Sequence, residues 1–331
     1  MSDWIDSFAG KRVLITGGLG MIGSTLAQRL VPAGAIVTLV DACIEPYGAN
    51  LFNIEGIRDR VHVSITDIRD KESMKFLVKG QDIVFNLAGQ VSHNDSIENP
   101  FLDADINYLG HLNVLECLRR NNPGALVVHA GSRLQFGLIE SNPVDEGHPL
   151  NPRTPYALNK TASENMYSFY HKMHGIACVL FRVANPYGMR SQMKHHKYSM
   201  VNWFIRQAFE NKTIRIFGDG AQVRDYIYVE DLADALLLTA ITPACYGEIF
   251  NVGSGNGTRF KEMVEIIIDV AGGGKAENIP WPADYINVET GDYITNIRKL
   301  MAAIPWRPET SMRSGIEKTC AYYRQHKQHY W

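Results

Sequence analysis

The stretch Arg12-Val13-Leu14-Ile15-Thr16-Gly17-Gly18-Leu19-Gly20-Met21-Ile22-Gly23 decides how the rest of the chain is read. Its first five residues form a short apolar run with β-branched side chains, the pattern of a buried strand. Glycines then recur at Gly17, Gly20 and Gly23, and an apolar pattern of helical period continues to residue 31. Glycine there permits a tight turn, close approach of backbone to a pyrophosphate, and close packing of helix on strand. The helix opening at Met21 and Ile22 offers free N–H groups and the positive end of its dipole to phosphates. A glycine triplet between strand and helix predicts a dinucleotide cradle; a glycine-rich turn without a ligand is the alternative.

Asp41 closes the next expected strand, over 36–40, where an acid would grip the adenosine ribose hydroxyls. No arginine stands at 42 or 43 to receive a 2′-phosphate, and the carboxylate would repel one, so the pattern points to NAD rather than NADP. The other reading of Asp41 is a cap or turn residue.

Moving outward, strands are expected over 61–65, 82–87, 125–129 and 177–181, with helices over 105–120 and 155–174. Apolar strands alternating with helices predict an α/β chain with a Rossmann-type, doubly wound parallel sheet covered on both faces. After Asn185-Pro186-Tyr187-Gly188 the rhythm breaks. A polar, histidine-bearing stretch over 191–199 leads into a helix over 201–211, then short strands over 213–217 and 248–252, two more helices, and a Trp/Pro-rich segment near Trp281 and Trp306. This predicts a smaller, mixed α/β C-terminal lobe. The expected division is an NAD-binding domain over 1–185, to which 224–252 returns, and a second lobe over 186–331.

Composition excludes several classes. The 331 residues are 45% hydrophobic and 21% charged, ordinary for a globular chain with room for two lobes. A net charge of −2 supplies no basic field for nucleic acid. Apolar runs such as 235–238 are far shorter than a membrane span, and the first residues lack the pattern of a signal peptide. The five cysteines (Cys43, Cys117, Cys178, Cys245, Cys320) are scattered and without CxxC spacing, which argues against a disulfide framework or a cysteine-rich zinc site. A cytoplasmic location is the expectation.

The chemistry is expected on Tyr156-Ala157-Leu158-Asn159-Lys160. Pro155 and the apolar pattern after it predict a helix, so Tyr156 and Lys160, four apart, share a face. A neighbouring ammonium favours the phenolate, and a phenol tuned in this way can serve as acid or base on a substrate hydroxyl near neutral pH. Ser132, beyond the fifth expected strand, stands at the carboxyl edge where such sheets bind ligands. Its other reading is a turn serine.

Taken together these residues resemble the extended short-chain dehydrogenases/reductases of the NAD-dependent nucleotide-sugar epimerase/dehydratase group, UDP-glucose 4-epimerase-like. The resemblance runs from about Lys11 to Tyr323. It is carried by Gly17/Gly20/Gly23, Asp41, Asp67-Ile68, Leu87-Ala88-Gly89, Asn107, Ser132, Tyr156/Lys160, Asn185-Pro186-Tyr187-Gly188 and Arg224-Asp225-Tyr226-Ile227-Tyr228-Val229. It implies NAD as cofactor and a nucleotide-diphosphate sugar, UDP-linked by default and with CDP open, as substrate. It implies that Asp67 and Ile68 flank the adenine, that Leu87 and Ala88 line the cofactor cleft, and that Asn107 braces the active-site helices. Tyr156 would be the acid/base, Lys160 would hold the nicotinamide ribose, and Ser132 would assist. For the substrate, the resemblance implies Asn185 near the diphosphate, Val201 in the pocket, Phe217 stacked on the base, Arg224 clamping the diphosphate and Asp292 on the ribose. It further implies a homodimer through a four-helix bundle of the 105–120 and 155–174 helices.

The chain also departs from the group's pattern. Family dehydratases follow the active-site Ser/Thr with an Asp-Glu pair, whereas Arg133-Leu134 follow Ser132 here; Phe136-Gly137 replaces a common Tyr-Gly. Many epimerases carry an arginine three residues before the position of Asp292, and here that residue is Glu289. Diphosphate binding would then rest on Arg224, with Arg190, Lys194 or Lys197 from the basic loop of the 190s. His195-His196 is read as part of a solvated or diphosphate-facing loop rather than a zinc site, and no metal is expected. His93 is either a polar residue on a cleft loop or an extra base. The implied activity is oxidation of the sugar C4 hydroxyl to a transient 4-keto sugar and its reduction to the 4-epimer. The alternatives are other chemistry beside a 4-ketone and, from another class, a non-catalytic NAD-binding sensor.

Overall fold

Twelve strands follow one another in the structure, a computed structural model that describes residues 3–282 and 289–331. They are β1 (Arg12–Thr16), β2 (Ile36–Asp41), β3 (Val61–Ile65), β4 (Ile83–Asn86), β5 (Leu126–Ser132), β6 (Cys178–Val183), β7 (Asn185–Tyr187), β8 (Thr213–Phe217), β9 (Val223–Tyr228), β10 (Ile249–Val252), β11 (Gly257–Arg259) and β12 (Lys275–Ile279). Seven of them form one sheet in the order β10-β6-β5-β4-β1-β2-β3, every pairing parallel. The strand order reverses between β1 and β4, and in such sheets a ligand crevice opens beyond the strand ends at that reversal.

The sheet is buried on both faces because both carry apolar side chains. Along β1, Val13 and Ile15 enter one core with Leu26 and Leu30 of α1 (Met21–Leu30). Leu14, between them, points to the other core, with Val114 and Leu118. Helix α2 (Lys71–Leu77) follows β3, and α3 (His93–Glu98) and α4 (Pro100–Ala104) follow β4. The helix expected over 105–120 begins with a π-helical turn, Asp105–Gly110, before α5 (His111–Asn121). A simple 3.6-residue period does not foretell such a turn. Helix α6 (Pro155–His174) has the expected start: Thr154 caps it by accepting from the Ala157 N–H at 3.2 Å, and Pro155 occupies its first turn. Gly175, at φ 68°, ends it in the left-handed conformation.

After β7 the chain forms α7 (Met200–Phe209), then α8 (Val229–Ala240), α9 (Phe260–Ala271), α10 (Arg298–Ala303) and α11 (Met312–His326). Strands β11, β9 and β7 form a three-stranded mixed sheet, and β12 pairs with β8 in a second small sheet. A third core, around Phe204, Ile216, Phe260, Met263 and Tyr323, lies beneath them. Residues 229–252 return to the large sheet: Arg29 of α1 pairs with Asp234 of α8 at 2.7 Å, and β10 becomes the seventh strand beside β6. Among the described residues, no helix is long and apolar enough to cross a membrane.

Candidate active site

A single cleft of about 1120 Å³ runs from the glycine loop past Tyr156 to Phe217 and Arg224. Its floor is the carboxyl edge of the large sheet.

The glycine loop is shaped for a close ligand. Gly17 turns at φ 65°, and a Cβ there would stand 3.0 Å from the Ala88 nitrogen. A Cβ at Gly23 would run into the Gly17 carbonyl oxygen. Gly20 caps α1 without a side-chain hydrogen bond, and it lines the cleft with Met21, Ile22 and Gly23, so the first turn of α1 faces the cavity. Gly18, which the reading of the triplet passed over, is equally constrained: a Cβ there would lie 2.8 Å from Leu39 Cβ. Behind the loop, the Thr16 hydroxyl donates to Asn86 Oδ1 at 2.5 Å and accepts from the Ala88 N–H at 3.1 Å. This locks β1 to the end of β4.

Asp41 lines the cleft and also serves its own turn. Its carboxylate accepts the Leu19 N–H at 3.1 Å and the Cys43 N–H at 3.0 Å. Burial raises its pKa, against those two N–H groups. Asp67 lines the same wall, held by Arg69 through two side-chain hydrogen bonds of 2.9 and 2.6 Å. Burial acts to raise its pKa, but the Arg69 guanidinium prevails and lowers it. Ile68, Leu87 and Ala88 line the cavity; Asn107 does not. Asn107 sits in the π-turn behind the wall, where its side-chain amide donates to Gln90 O and Asp103 Oδ2, both at 2.9 Å, and its main-chain carbonyl accepts from the Ser163 hydroxyl of α6. It thereby ties the π-turn to the loop after β4 and to α6. These features fit an NAD molecule. The cradle excludes side chains, a helix N-terminus faces the pyrophosphate position, and an acid stands at the ribose position.

Tyr156, Lys160 and Ser132 all border the cleft. Lys160, 5% exposed, donates to Ala130 O at 3.1 Å, and burial pushes its ammonium down to about 8. Burial also pushes the Tyr156 phenol up to about 12, against a hydrogen bond from Ser132 and the charge of Arg133. The sequence suggests that Lys160 would set the phenol's acidity; in the folded chain burial has the larger effect and acts in the opposite direction. Ser132 is both cleft residue and turn residue. It caps a short 3₁₀ turn, accepting from the Leu134 N–H at 3.2 Å, while its own N–H donates to Gln135 Oε1 at 2.8 Å. Gln135 continues to Glu164 at 2.9 Å, and Glu164 is paired with the buried Arg182 at 2.7 Å. A buried polar chain therefore fixes the serine from behind.

His93 opens α3 and lines the cleft beside this group. Burial lowers its pKa, helped by Arg133 and opposed by Asp95, so the imidazole is neutral near pH 7. Arg133 is anchored across the cleft: Nε donates to Asn185 Oδ1 at 3.0 Å, Nη1 donates to Thr290 Oγ1 at 3.1 Å, and the guanidinium lies 5.3 Å from the centre of the Tyr293 ring. Burial pushes its pKa down to about 10, with Arg224 adding to the effect. Asn185 is engaged at both ends, since its amide also donates to Asp225 O at 2.7 Å.

Val201 and Phe217 line the far end of the cavity, where Phe217 meets Trp281 with ring centroids 5.5 Å apart. Trp281 was only part of a Trp/Pro-rich segment in the sequence; its place beside Phe217 comes from the turn at Gly218. Arg224 lines the cleft but is already engaged, paired with Glu289 and donating to Val223 O at 2.9 Å and Gly291 O at 3.0 Å. Asp292 is exposed and outside the cleft lining; its carboxylate accepts the Val223 N–H at 2.8 Å. In the basic loop, Lys197 pairs with Asp95 of α3 at 2.5 Å, Lys194 approaches Glu45 at 3.9 Å, and Arg190 donates to Thr25. His195 Nε2 donates to the Pro46 carbonyl oxygen at 3.0 Å. Of these, Lys197 and His196 line the cleft. Among the described residues, no group of three or more His, Cys, Asp or Glu is placed to hold a metal ion.

The chain is similar to known proteins over most of its length. The family model described as "NAD dependent epimerase/dehydratase family" matches residues 13–253. UDP-glucose 4-epimerase from Mycolicibacterium smegmatis is 31% identical over 322 residues, covering 96% of this chain and 100% of that protein. CDP-paratose 2-epimerase from Salmonella typhi is 30% identical over 339 residues, covering 93% and 97%. Among solved structures, an epimerase from Methanothermobacter thermautotrophicus superposes with a TM-score of 0.91 at 27% identity, covering 98% of this chain and 96% of that one.

Proposed function

Since this chain belongs to the NAD-dependent epimerase/dehydratase family, we propose that it is a nucleotide-sugar 4-epimerase, with UDP as the nucleotide and a hexose or N-acetylhexosamine skeleton. The observation that carries this reading is the place of Tyr156, Ser132 and Lys160. They stand on one cleft, between the glycine cradle and the wall of Val201, Phe217 and Arg224. We divide the chain accordingly into a cofactor domain, 1–185 with 224–252 returning to it, and a nucleotide-sugar lobe, 186–331.

NAD, when bound, supplies the acceptor and donor of hydride at sugar C4. The residues of the chain do the rest. Tyr156, in its phenolate form, takes the proton of the C4 hydroxyl and gives it back to the C4 oxygen after the keto-sugar has turned its other face; burial holds the free phenol at about 12, so positive charge brought in with the cofactor would have to restore that form. Ser132, held by Gln135 and Glu164, hydrogen-bonds the same oxygen. Lys160 lies in the first turns of α6 on the cleft, where it would hold the nicotinamide ribose. The Ser132 hydrogen bond and the Arg133 charge favour the phenolate that burial opposes. Arg133-Leu134 in place of an Asp-Glu pair leaves no acid and base for loss of water across C5 and C6.

The test uses the full chain, purified with its cofactor, and a panel of UDP-, CDP- and GDP-sugars. Product formed with no added reductant supports the self-contained cycle. Tyr156→Phe keeps the ring and removes the proton carrier. A loss of at least a hundredfold in kcat is expected, with NAD content unchanged. Near-normal turnover by that variant would remove Tyr156 from the mechanism, and no turnover by the wild type on any sugar would favour a sensor.

A second reading is favoured by His93, which is neutral and on the cleft. Next to a C4 ketone it would remove a proton from an adjacent carbon, giving epimerisation at another centre. Heavy water separates the two: 4-epimerisation leaves no deuterium on carbon, whereas proton abstraction beside the ketone leaves one deuteron there.

A further inference from the structure

Arg133 is a cation without an anion. Among the described residues it forms no ion pair; the nearest candidate, Glu289, is committed to Arg224. A half-buried guanidinium without a counter-charge is poorly solvated unless something else meets it. Yet the side chain is held firmly. Asn185 takes Nε, Thr290 takes one proton of Nη1, and the Tyr293 ring, itself fully buried, lies 5.3 Å from the guanidinium carbon. These anchors fix the plane of the group and, among the described residues, leave Nη2 without a hydrogen-bond partner, on a residue that lines the cavity. A fixed guanidinium with a free edge is the geometry that receives an oxyanion in two parallel hydrogen bonds.

The position along the cleft says which oxyanion. Arg133 directly follows Ser132, which lines the cleft with Tyr156 and His93, and its charge is felt by both of the latter. That is the end where the sugar reacts. The nucleotide wall of Phe217 and Trp281 is at the other end of the same cleft, and the diphosphate would lie between them, beside Arg224, whose charge also reaches Arg133. We propose that Arg133 is a specificity residue for the sugar ring, and that the ring it selects bears a carboxylate: the substrate is a nucleotide-linked uronate. This rests on the 4-epimerase reading and narrows its sugar.

Binding measurements on the NAD-loaded full chain test it without requiring turnover. By calorimetry, the wild type is expected to bind UDP-glucuronate at least tenfold tighter than UDP-glucose; using one nucleotide for both cancels any nucleotide preference. Arg133→Gln should bring that ratio close to one while leaving the affinity for UDP itself within twofold. Arg133→Lys keeps the charge without the fork and should keep part of the preference. If the wild type binds UDP-glucose as tightly as UDP-glucuronate, the proposal falls, and this comparison stands even if the glutamine variant does not fold. It also falls if Arg133→Gln weakens UDP and UDP-glucuronate equally, since the guanidinium would then be serving the diphosphate. A uronate preference without turnover of any sugar would overturn the 4-epimerase reading and leave this one intact. Epimerisation of UDP-glucose without such a preference would do the reverse.

Discussion

At the scale of single residues, the most consequential departure is Glu289. Where many relatives have a second arginine toward the diphosphate, this chain places a carboxylate that pairs with Arg224 and accepts the Gly291 N–H at 3.0 Å. The arginine expected to clamp the diphosphate is therefore neutralised in the free chain, and an incoming diphosphate competes with Glu289 for it. Glu289→Gln removes the like charge, while Arg224 stays held by the carbonyls of Val223 and Gly291. The expected result is tighter binding of UDP, several-fold or about 1 kcal/mol, with a steeper dependence on salt. Titration calorimetry reads both, and weaker UDP binding by the variant would mean that Glu289 orients Arg224 rather than blocking it. The Glu289 substitution was legible in sequence, but its pairing with Arg224 was not. Arg224 and Glu289 are 65 residues apart, and the anchors of Arg133 stand 52 and 157 residues from it. The glycines and the Tyr156/Lys160 pair, by contrast, act within one turn and one helix face, so local spacing was enough to find them.

At the scale of elements, legibility follows how far each element is determined by its own pattern. Strands β1, β2, β4, β5 and β6 are mainly apolar and buried, edge strand β3 is only half-buried but still alternates valines with polar residues, and helix α6 carries its own cap, proline and terminal glycine, so their existence could be read directly. The π-turn at Asp105–Gly110, and the three-residue strands β7 and β11, depend on partners distant in sequence and show no period. Strand β5 runs to Ser132 rather than stopping at 129, because it keeps pairing with β6 as far as Val183. One element-level contact gives a prediction. Glu116 of α5 accepts from Arg119 at 2.7 Å and Arg120 at 2.9 Å, and from the Tyr170 hydroxyl of α6 at 2.7 Å. Arg119 above all holds its carboxyl down, from the usual 4.5 to about 2, with Tyr170 and Arg120 adding to the effect and burial opposing it. A carboxyl whose pKa is lowered by folding contributes stability above its unfolded pKa and loses it as pH falls toward the folded one. Glu116→Gln should therefore be less stable than wild type by about 1 kcal/mol at pH 7, after allowance for the exposure of the group. The gap should close between about pH 4.5 and pH 2. Urea unfolding at pH 7 and pH 3 checks it, and a gap that does not change with pH would assign the loss to packing instead.

At the scale of the whole molecule, the face that carries α6 is unfinished as a surface. Leu158, Phe169 and Met173 of α6 are 55%, 53% and 64% exposed, and Leu109 of the π-turn and Phe101 of α4 are 49% and 82% exposed. Leu158 and Phe169 are eleven residues apart, three helical turns, so they share one face with Met173 a further turn on. Side chains of this kind in one patch mark an interface in a soluble chain. Two such patches facing each other across a two-fold axis would bring α5 and α6 of one chain onto those of the next as a four-helix bundle, an isologous contact. The arrangement bears on chemistry because α6 also holds Tyr156 and Lys160 in its first turns, and its position depends on what backs it. The prediction is a homodimer of twice 37.1 kDa at micromolar concentration. Phe169→Glu, which places a charge in the centre of the patch, should yield a monomer that still binds NAD but turns over more slowly, because α6 then lacks its backing. Light scattering gives the mass, and cofactor release after denaturation gives the NAD content. A wild-type monomer at that concentration would overturn the prediction. A Phe169→Glu monomer with full turnover would uphold the interface and detach it from catalysis.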